Sequence, residues 1–361
     1  MTKKKMLFWK LRNQYKKIRG VKNILLTAVT MRPFLWSQKA TLALEVSGVC
    51  NIRCPMCSYP EMKRKKGFMS WELFQKIVDD VVRNGHTIAS LHFFGEPLMW
   101  PHLVKGIALL SRNGIYPRIS TNGMLLSKEL AVQLEAAGLK EIMVTIDTLI
   151  PEAYSIIRKG GDFEKVKNNI HEALIAAPKL TVSAQFMPTK HNKDETQADF
   201  YKEFGSHKNF KVEEWFVIRM NNSENMSQDL DHSCDLVDKR LCSKMFDRVD
   251  VLWDGSTVLC CLDYEGQLVT GNLNDNTISY SWMGQKAMEL RAKILRGEWG
   301  DLLTCKNCYA DHIKIEEKRW KLNSPPSPLS FKHKIMLKTV ENILKKREIS
   351  NIVNEDSNGK L

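Results

Sequence analysis

The chain lacks three features that would have assigned it to common classes of protein. No run of eighteen apolar residues occurs, so no segment is predicted to span a bilayer. The nine histidines show no spacing typical of metal ligands, and His92 is predicted to be a core residue rather than a base. No internal repeat is present, which excludes a repeat architecture.

Acidic residues are absent from the first part of the chain. Residues 1–39 contain eleven lysines and arginines and neither aspartate nor glutamate, and residues 324–361 carry a further positive excess. The net charge of +13 therefore leaves residues 40–323 near neutral. A nucleic-acid partner would need a basic patch on the folded domain, so none is expected.

The basic arm formed by residues 1–39 has its own interpretation. Its leucines and aromatics recur at near-helical spacing, which is typical of an amphipathic helix. Three roles stay open: packing on the folded domain, peripheral contact with the inner face of a membrane, and binding of an acidic partner.

Cysteines carry the strongest chemical signal. Cys50, Cys54 and Cys57 follow a strand-like stretch at residues 41–46. The CxxxCxxC spacing lets one loop wrap an iron–sulfur cubane so that three thiolates each bind one iron and the fourth iron stays open for chemistry. A chance cluster of cysteines and a partial zinc site are the alternatives. Such spacings favour metal ligation in a reducing compartment, which predicts a cytoplasmic protein.

Strand and helix patterns alternate from residue 40 onwards. Predicted strands lie at residues 41–46, 90–93, 118–120, 141–146, 180–186 and 211–217. Predicted helices begin after Ser70 and Ser127 and cover residues 102–113 and 163–176. This alternation predicts parallel βα units, and six of them predict an α/β fold, a partial (β/α)6 TIM-like barrel.

Polar and small residues repeatedly follow the predicted strands, at the edge where parallel barrels carry their chemistry. Besides the cysteine loop, they are Gly95-Glu96-Pro97, Thr121-Asn122-Gly123, Asp147, Met187 and Arg219.

Together these motifs resemble the radical S-adenosylmethionine (SAM) superfamily. The resemblance implies that the open iron of a [4Fe–4S] cluster binds SAM, which the reduced cluster cleaves to a 5′-deoxyadenosyl radical. Gly95, Glu96 and Pro97 match the family's GGEP motif, with Phe94 in place of the first glycine. Glu96 and the backbone carbonyls are then expected to hold the SAM ammonium, because a buried cation requires acceptors. Capping of the next helix is the alternative role for Glu96.

Further positions match other elements of the family. Thr121 and Asn122 resemble the strand end that lies near the ribose and methionine of SAM. Thr145 and Arg158 resemble two more such elements, and Arg158 is expected to grip the SAM carboxylate unless it is a surface arginine. Met187, at the end of the fifth predicted strand, is counted among the cofactor-binding residues.

A second set of cysteines lies in the C-terminal part of the chain. Its members are Cys242, Cys260, Cys305 and Cys308. They surround a predicted hairpin at residues 249–262 and a helix at 281–296. This arrangement resembles the SPASM/twitch domains of radical SAM enzymes, and its four ligands imply one auxiliary [4Fe–4S] cluster. A four-cysteine zinc site is the alternative.

The predicted organisation has four parts. They are the arm at 1–39, the barrel at 40–225, a small α+β cluster-binding domain at 226–322, and a proline-rich linker with a basic tail helix at 323–361.

The resemblance implies an oxidoreductase that abstracts hydrogen from a substrate C–H bond. One fate is dehydrogenation of a carbinol of a sugar or aminocyclitol, with the auxiliary cluster as electron acceptor. The other is epimerisation, with Cys261 returning hydrogen, because Cys261 is expected to point to the strand face opposite to Cys260. Cys261 as a small buried residue is the alternative. Cys234 is expected to be incidental.

The expected partners follow from the same resemblance. A flavodoxin- or ferredoxin-type protein is the expected electron donor. A ribosomal peptide is the alternative substrate, and a non-enzymatic metal-stabilised scaffold is the remote one.

Overall fold

The computed structural model describes residues 41–85, 87–215, 242, 244–306 and 308, together with 338, 340–342 and 345. The predicted N-terminal arm, the proline-rich linker, Arg219 and Cys234 lie outside the described residues. The described positions 338, 340–342 and 345 are helical, and they fall within the predicted tail helix.

Nine strands and ten α-helices make up the described part of the chain. The strands are β1 (Thr41–Leu44), β2 (Ile88–Ser90), β3 (Tyr116–Thr121), β4 (Glu141–Asp147), β5 (Thr181–Phe186), β6 (Phe210–Glu214), β7 (Arg248–Val251), β8 (Ser256–Val258) and β9 (Val269–Asn272). The helices are α1 (Trp71–Asn84), α2 (Leu103–Arg112), α3 (Lys128–Ala136), α4 (Pro151–Ile157), α5 (Phe163–Ala176), α6 (Gln197–Phe204), α7 (Lys244–Asp247), α8 (Ile278–Met283), α9 (Gln285–Arg296) and α10 (Leu303–Lys306).

All nine strands join one sheet in the order β6-β5-β4-β3-β2-β1-β7-β8-β9. Strands β1 to β6 pair in parallel, and the sheet stays open, which confirms the predicted partial barrel. The C-terminal hairpin does not form a separate sheet. Strand β7 pairs in parallel with β1, with Leu42 opposite Val249, and β8 and β9 continue the sheet in antiparallel fashion.

Local sequence signals explain several helix boundaries. The Ser70 and Ser127 side chains accept hydrogen bonds from the backbone three residues later, as predicted for N-caps. Helix α5 covers the predicted range. The helix predicted at 281–296 is instead two helices, because the chain leaves helical geometry at Gly284. Strand β2 ends at Ser90, so the prediction of a strand at 90–93 was wrong.

Alternating residues along the strands divide the sheet into two faces. One face packs apolar side chains such as Leu42, Ile142 and Val144 against the helices. The opposite face, here called the open face, carries polar or small residues, among them Ala43, Ser90, Arg118, Thr145 and Asp250.

In the part of the chain that the structure describes, no helix combines the length and the apolar character needed to cross a membrane.

Candidate active site

The loop between β1 and α1 brings its three cysteines together. The Cys57 N–H donates to the Cys54 carbonyl (3.0 Å), and the Cys57 sulfur accepts from the Tyr59 N–H (3.4 Å). Burial raises the pKa of Cys50 to about 11 and that of Cys57 to about 12, and the neighbouring thiols add to both shifts by charge repulsion. Cys54 is therefore close enough to both Cys50 and Cys57 for its charge to affect them.

Donors from two other elements also point at these sulfurs. Asn122 Nδ2 lies 3.8 Å from Cys50 Sγ, and Arg158 Nη1 lies 3.5 Å from Cys54 Sγ. Soft thiolate ligands with N–H donors around them suit an iron–sulfur cluster. Among the described residues, no three histidine, cysteine, aspartate or glutamate side chains form a group that could hold a metal ion. A cubane does not need such a group, because its three thiolates bind three separate irons, so the donor set fits a cluster carried by one loop.

Gly95 packs directly against the chain that leads into this loop. Its φ is +144°, and a Cβ atom there would lie 2.1 Å from the Ser47 carbonyl oxygen. The next residue, Glu96, donates its N–H to the Val49 carbonyl (2.8 Å). Because no other residue fits this contact, glycine is required for the close approach of the two segments.

Glu96 is buried and accepts three hydrogen bonds. Its Oε1 accepts from the Thr121 hydroxyl (2.6 Å) and the Leu98 N–H (3.0 Å), and its Oε2 accepts from the Asn122 N–H (2.8 Å). Burial raises the pKa of Glu96. The carboxylate caps the single helical turn that begins at Pro97, as one interpretation expected, and it also joins that turn to the end of β3.

Asn122 and Thr145 extend this network. The Asn122 amide donates to Asn51 Oδ1 (2.7 Å), in the cysteine loop, and the Thr145 hydroxyl donates to the Thr121 carbonyl (3.1 Å). The structure thus brings together Glu96, Thr121, Asn122 and Thr145 beside the three cysteines.

Arg158 is not a surface arginine, since only 12% of its side chain is exposed. Its Nε and Nη2 lie 2.6 and 2.5 Å from Asp147 Oδ2. Asp147 is fully buried, has a φ of +64°, and accepts a second hydrogen bond from Gln185 (2.7 Å). Sequence reasoning noted Asp147 as a strand end but missed its pairing with Arg158.

Met187 is also buried close to this region. It packs with Ala153 and Ile157 of α4, and Met56 of the cysteine loop contacts the same cluster. The side chain therefore borders the cysteine loop from the side of β5.

The second set of cysteines differs from its prediction in one respect. Strand β8 ends at Val258, so Cys260 and Cys261 lie in the turn beyond it. The alternation that was expected to place their side chains on opposite faces stops at Val258, so strand geometry no longer sets the direction of either thiol. Lys244 Nζ lies 3.6 Å from Cys261 Sγ.

The remaining members of the set lie near Cys260. Cys242, Cys260 and Cys305 all pack against one apolar cluster that includes Leu259. The Cys308 N–H donates to the Cys305 carbonyl (3.2 Å). Thiols from three segments around one apolar core fit an auxiliary cluster.

A buried carboxylate links the two cysteine regions. Glu45 Oε1 accepts from Arg64 Nη2 (2.5 Å), and Glu45 Oε2 accepts from the Trp253 N–H (3.3 Å). Arg64 Nε also donates to the Tyr264 carbonyl (2.5 Å). Sequence reasoning missed this link, because Arg64 lies in a run of basic residues that resembles a solvated surface.

Phe94, the departure from the GGEP motif, belongs to the same region. It is buried, and its ring meets the Tyr264 ring edge-on at a centroid distance of 5.9 Å. The residue in the place of the first glycine thus contacts the chain just after Cys260 and Cys261.

Comparisons with known proteins agree with this arrangement. Residues 44–200 match the family model of the radical SAM superfamily, and residues 242–309 match the SPASM iron–sulfur cluster-binding domain.

Two curated relatives match only part of the chain. A tungsten-containing aldehyde ferredoxin oxidoreductase cofactor-modifying protein of Pyrococcus furiosus is 28% identical over 159 residues, 42% of this chain and 44% of the relative. A GTP 3',8-cyclase of Peptoclostridium acidaminophilum is 36% identical over 138 residues, 37% of this chain and 42% of the relative. The chain spans less than half the length of either.

Solved structures with the same fold cover more of the chain. BtrN in complex with AdoMet and 2-DOIA matches with a TM-score of 0.51 and 20% identity, over 78% of this chain and 96% of BtrN. AnSMEcpe with bound AdoMet matches with a TM-score of 0.56 and 18% identity, over 87% of this chain and 99% of that protein. A structure of anSMEcpe with AdoMet and the Cp18Cys peptide matches similarly, with a TM-score of 0.55 and 17% identity over the same shares. At these identities the likeness shows the fold alone.

Proposed function

This chain is a radical SAM enzyme with a SPASM domain, and from that premise we propose that it dehydrogenates a carbinol of a sugar or aminocyclitol. Its cofactors are a SAM-binding [4Fe–4S] cluster, SAM and an auxiliary iron–sulfur cluster. When bound, the first cluster and SAM supply a 5′-deoxyadenosyl radical.

We assign the SAM-binding cluster to Cys50, Cys54 and Cys57, and the auxiliary cluster to Cys242, Cys260, Cys305 and Cys308. The observation that carries the first assignment is the hydrogen-bonded path from Glu96 through Asn122 to the cysteine loop. This path fixes the strand ends relative to the thiols, and fixed geometry is what positions a substrate carbon for reaction.

Glu96 supplies the acceptor for the SAM ammonium in this proposal, together with the backbone carbonyls around Gly95 and Pro97. Its carboxyl group is held in a fixed, buried position by three donors, where a cation would find an acceptor. Thr121, Asn122 and Thr145 hold the neighbouring strand ends. Arg158 stays a candidate for the SAM carboxylate, with Asp147 orienting its guanidinium.

Dehydrogenation is favoured by the second cysteine set. Four thiolates would ligate every iron of an auxiliary cubane, which leaves electron acceptance rather than substrate binding as its role. The substrate then loses one proton and one further electron. BtrN, which shares the fold, was crystallised with the small molecule 2-DOIA.

Epimerisation remains the second candidate because of Cys261. Its thiol lies beside Lys244 and within the electrostatic field of Arg248 and Asp250, next to the open face of the sheet. A thiol in this place could return a hydrogen atom to a substrate radical. A peptide substrate is the further alternative, since anSMEcpe binds a peptide.

The first experiment is anaerobic metal analysis of the Cys50/Cys54/Cys57→Ala triple variant. Retention of about four irons and four sulfides would establish the auxiliary cluster, as a cubane held by four thiolates requires. Zinc or no metal in that variant would contradict electron-accepting dehydrogenation. The reduced wild-type protein should convert SAM to 5′-deoxyadenosine, and the triple variant should not.

The second experiment separates the two reactions. In deuterated solvent, epimerisation places deuterium on the product carbon, and dehydrogenation does not. Cys261→Ala should spare dehydrogenation and abolish epimerisation, and Cys261→Ser serves as the size-matched control.

A further inference from the structure

Small residues line one cross-strand row of the open face. Arg118 on β3 lies opposite Ser90 on β2, Ser90 lies opposite Ala43 on β1, and Ala43 lies opposite Asp250 on β7. Neighbouring strands are about 4.8 Å apart, so Ser90 and Ala43 separate Arg118 at one end of the row from Asp250 at the other end. The row therefore places two small, buried side chains between two charged groups.

Arg118 lies at one end of this row, and Arg248 and Lys244 lie around Asp250 at the other end. Arg118 is exposed, and its guanidinium has no hydrogen-bond or ion-pair partner within the part of the chain that the structure describes. At the other end, Arg248 Nε lies 2.8 and 2.9 Å from the two carboxylate oxygens of Asp250. Lys244, whose ammonium contacts Cys261, adds a third positive charge to the field at Asp250.

Carboxylates near these cations already have partners. Asp250 is paired with Arg248. Glu141 and Arg118 both lie close enough to Tyr116 to influence the pKa of its hydroxyl. The Glu141 carboxylate accepts a hydrogen bond from the Ser183 hydroxyl (2.9 Å). The direct ion pair in this group thus joins Arg248 to Asp250, and the Arg118 guanidinium has no carboxylate within ion-pair distance in the described part of the chain.

His92 lies just beyond the end of β2, close to this row. Burial and the positive charges of Arg248 and Arg118 lower its pKa to about 4, so the imidazole is neutral near pH 7. Its buried Nδ1 has no hydrogen-bond partner among the described residues. A neutral ring with an unpartnered buried nitrogen, within the electrostatic reach of two guanidinium groups, has the character of a ligand contact, because buried polar atoms are normally paired.

We propose that Arg118, Arg248 and His92, here called the cationic face, bind an anionic group of the substrate, a carboxylate or a phosphate. This inference rests on the proposed function, since it names the chemistry of that enzyme's substrate. Guanidinium groups bind both anions through charge-assisted hydrogen bonds in a planar fork. The anion would hold one end of the substrate at the sheet, between the two cysteine regions. Within the proposed substrate classes, a neutral sugar or a positively charged aminocyclitol is then a poorer fit than a sugar acid or a sugar phosphate.

The test uses the full chain with its clusters and SAM bound. Binding of inorganic phosphate and of acetate is measured separately by isothermal titration calorimetry, so that the two arms distinguish the two anions. Arg118→Gln is the main variant, since this side chain is exposed and its replacement leaves no buried partner unpaired. Loss of one charge-assisted contact should weaken binding of the preferred anion about tenfold.

Two further variants keep the test specific. Arg112→Gln removes another exposed arginine at the end of α2, away from the open face, and should bind the anion as the wild type does. Arg118→Lys keeps the charge and should recover most of the lost affinity. Equal affinity in wild type and Arg118→Gln, equal losses in both Arg118 variants, or no binding of either anion would overturn the inference.

The same samples are assayed for conversion of SAM to 5′-deoxyadenosine. If wild type cleaves SAM but binds neither anion, the cationic face fails and the proposed function stands. If anion binding depends on Arg118 but SAM is not cleaved, the proposed function fails instead.

Discussion

Arg158 and Asp147 form a buried pair in which two guanidinium nitrogens contact one carboxylate oxygen, and the third nitrogen lies 3.5 Å from the Cys54 sulfur. The pair connects the end of β4 with the cysteine loop. Asp147 therefore sets the direction in which the guanidinium can act, whichever anion it meets.

Breaking this pair on one side should be costly. Arg158→Gln leaves the Asp147 carboxylate buried without its cation, and we expect a loss of about 3–5 kcal/mol in the free energy of unfolding. The double variant Arg158→Gln/Asp147→Asn should recover part of that loss, because it removes both charges. Urea unfolding of the four proteins of this cycle measures the coupling, and strictly additive losses would contradict it.

Substitution of Gly95 tests the close approach of the GEP segment to the cysteine loop. Gly95→Ala places a Cβ 2.1 Å from the Ser47 carbonyl oxygen, so the two segments must separate. Gly114 is a matched control, since its φ is also positive (+72°) but nothing lies within 4 Å of its Cβ position.

We expect Gly114→Ala to cost only the backbone strain of about 1–2 kcal/mol, and Gly95→Ala to cost more and to abolish SAM binding. Urea unfolding and equilibrium dialysis with labelled SAM provide the two readouts. Equal effects of the two substitutions would show that the contact has no special role.

Glu96→Gln tests the acceptor role of the carboxylate. The amide keeps the size but turns one oxygen into a donor, which then faces the donors of Thr121, Asn122 or Leu98. We expect the affinity for SAM to fall at least about tenfold while the iron content stays near wild type. Glu152→Gln, on the exposed side of α4, is the control and should bind SAM normally. Unchanged affinity in Glu96→Gln would remove this residue from the SAM site.

His92 should make stability depend on pH in the acidic range. Its pKa in the folded protein is about 4, whereas an unfolded histidine titrates near 6.5, so the unfolded state binds more protons between these values. Folding is therefore favoured fully above about pH 6.5, and this contribution is lost as the pH falls towards 4.

The limiting slope is about 1.4 kcal/mol per pH unit, which gives at most about 3.5 kcal/mol over this window. His92→Gln should lose less stability than wild type between pH 7 and pH 5 in urea unfolding. Parallel pH profiles for the two proteins would mean that His92 is protonated without penalty in the folded state.

Much of the fold was accessible from the sequence because local signals determine it. Ser70 and Ser127 cap their helices as predicted, and α5 begins and ends where its apolar pattern does. The Gly95-Glu96-Pro97 motif and the cysteine loop follow strand ends, which is where parallel barrels carry their catalytic residues. These features depend on residues close together in the chain.

The missed features depend on residues far apart or on where a strand stops. The pairing of β7 with β1 joins segments about two hundred residues apart, and no local pattern reports it. The direction of the Cys261 thiol depends on β8 ending at Val258, which a hairpin pattern cannot locate to one residue. The Glu45–Arg64 pair uses a lysine- and arginine-rich run that looks solvent-exposed in sequence.

The contact between the cysteine loop and Trp253 has a consequence for biosynthesis. A Cβ on Gly48 or on Gly67 would lie 2.7 Å from the indole ring, and the indole nitrogen donates to the Lys65 carbonyl. The segments on both sides of the cysteines therefore gain their packing partner only when a residue some two hundred positions downstream has been synthesised. If these cysteines hold the proposed cluster, we expect the cluster to enter its native setting after most of the chain has been translated.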